Sequence, residues 1–222
     1  EPLIHRPVVI GCGPAGMFCT YMLAELGYRP ILLERGADVD TRCQDVEHFW
    51  ETGELDTRSN VQFGEGGAGT FSDGKLNTLV KDPVGRNRKV LELFVEAGAD
   101  EEILYEQKPH LGTDELIGIV TYIRKEIERL GGEVRFHCQI HGVQATDLKT
   151  GEMEEIVSGQ VVLAVGHSAR DTFSMLKTRQ IPMRAKPFAV GVRMEHPQEM
   201  INISQYGADY PSFLPSAAYK VT

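Results

Sequence analysis

The sequence has few of the residues that mark several common classes of protein. Its four cysteines, Cys12, Cys19, Cys43 and Cys138, form neither a Cys-x-x-Cys pair nor a metal-ligand spacing, which argues against a zinc site and predicts reduced thiols. No apolar run reaches the roughly 18 residues that a membrane-spanning helix needs, and no signal-peptide pattern opens the chain. With a formal net charge of -9, a basic surface for nucleic acid is not expected. We therefore expect a cytoplasmic protein that binds no metal, membrane or nucleic acid.

The rest of the composition is that of an ordinary globular protein. The chain has 222 residues, of which 41% are hydrophobic and 25% are charged. This is enough for one large domain, or for one domain and part of another. Because the chain begins at Glu1 rather than Met, and because residues 218–222 have the pattern of a strand with nothing after it, we interpret it as a piece of a longer protein.

The segment from residue 6 to residue 35, RPVVIGCGPAGMFCTYMLAELGYRPILLER, has the pattern of a strand, a glycine turn, a helix and a second strand. Residues 8–10 form a continuous apolar run, which is typical of a buried parallel strand. Residues 31–33 predict the second strand. The helix between them is expected to start near Ala15 and to end at Gly27. Its predicted apolar face consists of Ala15, Cys19, Met22, Leu23 and Leu26.

The glycine turn predicts a dinucleotide site. Gly11 allows a tight turn, Gly13 lets the backbone approach a pyrophosphate, and Gly16 lets helix and strand pack closely. The pyrophosphate would then meet the N-terminus of the helix, which favours an anion. Glu34 stands where an acidic residue can bind a ribose 2′-hydroxyl. The alternative is a glycine-rich turn without a ligand.

A second glycine-dense segment, GEGGAGTFSDGKL, covers residues 64–76. Such backbone is commonly a flexible loop, but it can also line a cradle for a phosphate or for the edge of a flat ring. Because the chain already carries a first cradle, we favour the ligand interpretation.

Between and after these segments, the chain predicts an insertion followed by a return to β-α-β order. Helices are expected at 46–50, at 85–97 and at 116–130, and an alternating strand at 134–138. Trp50, in the first of these helices, is expected in the core or at an interface.

The last part of the chain has antiparallel signals. A hairpin is predicted from 142 to 157 with its turn at 147–151, and a buried strand at 160–166. Residues 188–194 predict the first strand of a new domain, with a boundary near Lys186.

These residues resemble the two-dinucleotide-binding-domain flavoproteins of the glutathione-reductase type, and more narrowly the uncharacterised bacterial FAD-dependent dehydrogenases. The resemblance rests on GCGPAG with Glu34-Arg35, on the segment 64–76 and on VVLAVG at 161–166. It implies an α/β fold, with a Rossmann-like FAD/NAD(P)-binding parallel sheet, helices and a small antiparallel β-meander. The FAD-binding domain would cover 1–186, with an insertion at about 37–112, and 187–222 would begin a truncated substrate domain.

The resemblance implies that FAD is bound in an extended pose. The pyrophosphate would be held by the glycine turn, the adenosine ribose by Glu34, and the adenine would lie by Arg35 and by the backbone of Gln139 or Ile140. The second glycine segment would run from the pyrophosphate toward the isoalloxazine, and Gly166 would close the sheet beside the cofactor. The glycine turn and the second segment contribute Gly11, Gly13, Pro14, Ala15, Gly16, Gly67, Ala68, Gly69, Thr70, Ser72 and Lys75.

The implied activity is that of a flavin-dependent oxidoreductase, with NAD(P)H as a possible electron donor. Lys75 could stabilise the negative charge of reduced flavin, or it could be an ordinary solvent lysine. The Gly-Asp segment that caps the ribityl chain in such proteins does not occur before Thr222, so we expect this chain alone to hold FAD weakly and to be inactive. Two alternatives stay open: an NAD(P)-dependent reductase without flavin, and a non-catalytic dinucleotide-binding module.

Overall fold

The structure is a computed structural model that describes residues 3–72, 74–76, 81–105, 111–141, 144–188, 190–192 and 194–218. The chain divides into two compact units, Glu1–Arg179 and Gln180–Thr222. In order, the elements of the first unit are β1 (Val8–Ile10), α1 (Pro14–Glu25), β2 (Ile31–Leu33), α2 (Val39–Thr52), α3 (Arg86–Glu96), α4 (Thr113–Arg129), β3 (Glu133–Arg135), β4 (Cys138–His141), β5 (Gln144–Asp147), β6 (Met153–Glu155), β7 (Val161–Leu163) and α5 (Arg170–Thr178). Two short 3₁₀ turns, Gly67–Gly69 and Glu101–Leu104, lie between α2 and α4.

Two sheets form the framework of the first unit. The larger one is parallel, with the strand order β3-β2-β1-β7, and the smaller one is antiparallel, with the order β4-β5-β6. Val8 of the central strand β1 is paired with Ile31 on one side and with Val161 on the other. The predicted α/β fold, a Rossmann-like parallel sheet with a small antiparallel meander, is confirmed.

The apolar runs of β1 and β2 are buried because both faces of the parallel sheet are covered. Successive side chains of a strand point to opposite faces. Val9 and Leu32 accordingly pack into a core with residues of α1, α3 and α4, whereas Val8 and Leu33 pack with Cys138 and Ala145 of the antiparallel sheet. The predicted helices at 85–97 and 116–130 correspond to α3 and α4, and the predicted hairpin corresponds to β5 and β6.

The predicted apolar face of α1 is only partly right: Cys19 and Leu23 pack against the core, but Ala15 is exposed. Met22 is 42% exposed and Leu26 is 67% exposed. The buried residues of the helix are Gly16, Met17, Thr20, Tyr21 and Ala24. Thr20 can face the core because its hydroxyl donates to the carbonyl oxygen of Gly16, at 2.7 Å, and this local bond is invisible to a hydrophobic pattern.

The predicted strand at 134–138 is divided between two sheets. β3 ends at Arg135 and β4 begins at Cys138, and His137 between them has a φ of 52°. Its N–H group donates to the carbonyl oxygen of Gly36, at 3.0 Å. A left-handed residue breaks the extended backbone, so the chain leaves the parallel sheet at this point.

Other expectations also need correction. Trp50 is 68% exposed and therefore does not lie in the core. Its helix, α2, is longer than predicted because the side chain of Asp38 accepts the N–H of Thr41 and so caps the first turn. The strand predicted as buried, β7, forms an edge of the parallel sheet, and Val161 is 60% exposed. Among residues 188, 190–192 and 194, the described part of the predicted strand at 188–194, none is in a strand.

Besides the strand predicted at 188–194, other expectations fall partly on residues outside the described ranges. Gly142 and Val143, at the start of the predicted hairpin, are outside them, and so are 219–222 of the strand predicted at 218–222 and Asp73 of the second glycine segment. The boundary predicted near Lys186 stays a prediction.

The second unit contains one described helix, α6 (Gln198–Tyr206). Asn202 of this helix donates to the hydroxyl of Tyr210 at 3.1 Å and accepts the N–H of Ala217 at 2.8 Å. In the described parts of both units, no helix is long and apolar enough to cross a membrane.

Candidate functional site

A cavity of ≈ 540 Å³ opens at the carboxyl ends of β1, β2 and β7. Its lining includes the glycine turn before α1, residues 33–35 after β2, residues 62–64, residues 138–140 of β4, and residues 163–166 after β7. The first residues of α5 complete the wall. In open α/β sheets this edge is where ligands bind, at the point where the strand order reverses. Here the order reverses at β1, because β2 lies on one side of it and β7 on the other.

The three glycines of the turn differ in the space around them. Gly11 has a φ of 100°, and a Cβ placed there would come within 2.5 Å of the carbonyl oxygen of Ala164. A Cβ on Gly16 would collide with the carbonyl oxygen of Gly11. Gly13 differs, since a Cβ there would meet nothing within 4 Å, although Gly13 lines the cavity. The turn therefore needs two of its glycines for its own packing, and the third leaves open space on the cavity side.

The N-terminus of α1 faces the same cavity. Gly13 is the N-cap and Pro14 occupies the first turn, with no acidic residue in it. Pro14 and Ala15 line the cavity. Backbone N–H groups in the first turn of a helix have no partner within the helix, and together with the helix dipole they attract an anion.

Glu34 lies beside this turn and is only 7% exposed. One carboxylate oxygen accepts the N–H of Cys12 at 2.7 Å, and the other accepts the N–H of Gly36 at 2.8 Å. The side chain thus braces the glycine turn. A carboxylate has about four lone-pair sites, so two of them remain for a hydroxyl group in the cavity that Glu34 also lines.

Cys12 joins the two glycine segments. Its carbonyl oxygen accepts the N–H of Gly66 at 2.8 Å, while its own N–H is held by Glu34. Burial, together with the nearby charges of Glu34 and Glu65, raises the pKa of the Cys12 thiol well above its usual value. The thiol is therefore protonated at neutral pH and is a poor nucleophile.

The second glycine segment packs against the first, and of its described residues Gly64 lines the cavity. A Cβ on Gly67 would approach Cα of Gly13 at 3.1 Å. Thr70 is buried and its hydroxyl donates to the carbonyl oxygen of Glu65 at 3.3 Å, and the Ser72 hydroxyl donates to that of Gly69 at 2.7 Å. The exposed residues of the predicted set in this segment are Ala68, Gly69, Ser72 and Lys75. The structure thus brings the segment beside the glycine turn.

A buried arginine holds this segment in place, and sequence reasoning missed it. Arg42 is 0% exposed, and its guanidinium donates to the carbonyl oxygens of Asn60, Val61 and Glu65 at 2.8, 2.9 and 2.5 Å. It also lies over the ring of Phe71, 4.7 Å from the centroid. Burial lowers the pKa of Arg42 to about 10, so the guanidinium stays charged at neutral pH.

The side chain of Glu65 extends this buried network. One carboxylate oxygen accepts the N–H of Val39 at 2.7 Å, and the other pairs with Nε of Arg124 at 2.7 Å. Burial raises the pKa of Glu65, against the opposing effect of these bonds. In the sequence, Arg42 and Glu65 look like ordinary charged residues of a helix and a loop, so no local signal marks them.

Of the residues expected near adenine, Arg35, Gln139 and Ile140 line the cavity, and so does Gly166, which has a φ of 72°. Arg35 also makes a contact that was not anticipated. Its Nη1 lies 2.6 Å from Oδ2 of Asp171, in the first turn of α5. Its guanidinium lies over the ring of Phe63, 5.2 Å from the centroid.

Two comparisons by sequence found similar proteins. Residues 187–222 match the family described as FAD-dependent protein, C-terminal domain-like. The whole chain is 52% identical to an uncharacterized protein of Clostridium beijerinckii over 231 residues, which are 42% of that protein. The chain therefore spans less than half the length of this relative.

Among solved structures, the chain is similar to Thermovibrio ammonificans THI4, with a TM-score of 0.51 and 17% identity over 93% of this chain and 74% of that one. A 3-ketosteroid-Δ4-(5α)-dehydrogenase from Rhodococcus jostii RHA1 gives a TM-score of 0.45 and 13% identity over 80% of this chain and 49% of that one. At such identities the similarity to THI4 establishes the fold and leaves the chemistry to be argued from the site.

Proposed function

We propose that this chain is the FAD-binding portion of a flavin-dependent oxidoreductase. The observation that carries the proposal is the open face of Gly13. A Cβ there would meet no protein atom within 4 Å, yet the residue sits in a cavity wall at a helix N-terminus. A glycine that its own fold does not require, at a site that favours anions, is explained by a ligand whose phosphate groups lie against the backbone.

The other residues of the cavity fit the adenosine half of FAD. Its volume, ≈ 540 Å³, is within the range of about 300–1,000 Å³ that small-molecule sites occupy. We expect the first-turn N–H groups of α1 to bind the pyrophosphate and Glu34 to accept the ribose 2′-hydroxyl. Arg35 and the backbone of Ile140 would lie by the adenine, and Gly166 would allow close approach of the cofactor to the sheet.

When bound, FAD supplies the electron transfer, and the protein supplies position and electrostatics. The second glycine segment would extend the binding surface from Gly67 to Lys75, because it packs directly against the Gly13-Pro14 corner. The cysteines would take no part. Cys138 lines the cavity and Cys12 lies in the glycine turn, and burial raises the pKa of both thiols. We further propose NAD(P)H as the electron donor and the cytoplasm as the location.

The domain boundary belongs to the same proposal. We place it near Lys186, with the FAD-binding domain before it and the beginning of a substrate domain after it. The match of residues 187–222 to the C-terminal domain of FAD-dependent proteins supports this boundary. It also supports the choice of FAD over NAD(P) as the resident cofactor.

The test is a titration of the full-length protein with FAD, followed by absorbance spectroscopy and anaerobic reduction with NADH and NADPH. We expect stoichiometric flavin and reduction by one of the two donors. Tight binding of NAD(P) with no binding of flavin would favour a nicotinamide-dependent reductase. A bound flavin that no donor reduces would favour a non-catalytic module.

A further inference from the structure

An ion pair crosses the cavity above the end of the central strand. Arg35 follows β2, and Asp171 lies in the first turn of α5, which follows β7. Because β2 and β7 flank β1 in the sheet, the Nη1–Oδ2 contact of 2.6 Å spans the crevice from one side to the other. The two residues are 136 positions apart in the chain, so the fold is what brings them together.

Because this pair neutralises Arg35, the carboxylate of Glu34 gives the crevice its net charge. Among the described residues that line the cavity, the ionised side chains are those of Glu34, Arg35 and Asp171. Two carboxylates face one guanidinium, so the formal charge of the wall is negative. The carboxylate of Glu34 is fixed by the N–H groups of Cys12 and Gly36 and cannot turn away from a ligand without giving up those bonds.

Dinucleotide-binding folds distinguish a free ribose 2′-hydroxyl from a 2′-phosphate with the residues at the end of the second strand. An acid there accepts the hydroxyl, and a nearby arginine accommodates the phosphate. This chain has both, in Glu34 and Arg35. The guanidinium of Arg35, however, is engaged by Asp171 and held over the ring of Phe63.

We propose that Asp171 is a specificity-determining residue of this site. By pairing with Arg35, it denies a 2′-phosphate the one cation in the described wall of the cavity, and its own charge adds to the repulsion from Glu34. The site thereby selects adenine dinucleotides with a free 2′-hydroxyl. This inference rests on the proposed function, since it concerns the same cavity.

The electrostatics support a measurable effect. A phosphate monoester carries a charge of about -1.5 to -2 at pH 7. Asp171 is 52% exposed and Arg35 is 25% exposed, so solvent screens the pair in part. Asp171→Asn keeps the size of the side chain while it removes the charge and releases Arg35. Its exposure makes a large effect on folding unexpected.

The experiment compares ADP-ribose with 2′-phospho-ADP-ribose, two probes that differ only in the 2′-phosphate, by isothermal titration calorimetry on the full-length protein. The quantity is the ratio of their dissociation constants. We expect the wild type to prefer ADP-ribose. In Asp171→Asn the preference should fall by roughly fivefold, which corresponds to about 1 kcal/mol for a partly exposed ion pair.

Three control variants test whether the charge of Asp171, acting through Arg35, causes the change in this ratio. Asp171→Glu retains the charge and should retain the preference. In an Arg35→Gln background, Asp171→Asn releases no cation and removes only the direct repulsion by Asp171, so the ratio should change less than it does when Arg35 is present. Glu51→Gln removes one negative charge from an exposed position of α2 outside the cavity wall and should leave the ratio as it is.

The outcomes separate the two proposals. If the wild type binds ADP-ribose and the ratio is the same in folded Asp171→Asn, the role of Asp171 is refuted and the proposed cofactor site stands. If Asp171→Asn does not fold, loss of the preference in Asp171→Glu would refute the role instead, since the charge is retained there. If the wild type binds neither probe, the cofactor site and the inference both fail.

Discussion

Gly13→Ala should separate folding from cofactor binding, because the added methyl group would meet no protein atom at a position that lines the cavity. The backbone of Gly13 has φ -74° and ψ 179°, an extended conformation that alanine adopts freely, also before proline. No protein atom lies within 4 Å of the added Cβ. Replacing glycine by alanine at a compatible position stabilises a protein by about 0.4–1 kcal/mol through the unfolded chain. We therefore expect a small gain in stability.

The effect on binding should have the opposite sign. A Cβ on the cavity side keeps a phosphate at van der Waals distance, roughly 3.5–4.0 Å from the new carbon, and so lifts it from the first-turn N–H groups of α1. The loss of one hydrogen bond to a charged group costs about 1.5–3 kcal/mol. This predicts weaker binding of FAD by roughly 10- to 100-fold.

The assay is a titration of FAD or ADP-ribose with the wild-type and variant full-length proteins, together with urea unfolding of both. Gly159→Ala is the matched control, because a Cβ there also meets nothing within 4 Å and the residue does not line the cavity. It should bind like the wild type. If Gly13→Ala folds and binds FAD within twofold of the wild type, the placement of the pyrophosphate against Gly13 is refuted.

Three further predictions concern the residues around the cavity. Arg42→Met should lower the free energy of unfolding by about 3 kcal/mol or more in urea titrations, because three carbonyl oxygens lose their donor; a loss below 1 kcal/mol would show that the guanidinium is dispensable. Desolvation lowers the pKa of His137 from 6.5, so the folded protein favours the neutral ring. The contribution of this residue to the free energy of unfolding should be full above pH 6.5 and should fall as the pH drops below it. In His137→Asn the free energy of unfolding should depend less on pH over that range. A variant in which every cysteine is replaced by alanine should, if folded, still have its flavin reduced by the physiological donor, and loss of reduction would show a redox role for one of Cys12, Cys19, Cys43 and Cys138.

The parts of the site that could be predicted from sequence are the local ones. Gly11, Gly13 and Gly16 act within a few residues of one another, so their spacing specifies the strand, the turn and the helix together. The apolar run of residues 31–33 also placed Glu34 at the carboxyl end of β2, and this run is a local signal. The same local logic identified the α4 helix and the β5–β6 hairpin.

The parts that could not be predicted depend on contacts between distant residues. The inward face of α1 follows from the close approach of Gly16 to Gly11, which a count of apolar residues does not register. Burial of Arg42 depends on carbonyl groups 18 to 23 positions away, and the Arg35–Asp171 pair joins residues 136 positions apart. In a sequence, an isolated charged residue predicts a solvated position. Only the fold shows that Arg42, Arg35 and Asp171 make contacts that hold the site together.

The contacts of Cys12, between Gly11 and Gly13, affect how the role of Glu34 should be tested. Cys12 is linked through its N–H to Glu34 and through its carbonyl oxygen to Gly66. Glu34, the glycine turn and the second glycine segment therefore form one hydrogen-bonded unit. Glu34→Ala would remove a predicted contact to ribose, and it would also leave two buried N–H groups without their acceptor, at about 1–3 kcal/mol each. A loss of FAD affinity in that variant could therefore come from a loosened turn as readily as from the ribose. Gly13→Ala avoids this ambiguity because it alters the ligand side of the turn and none of the bonds that hold it.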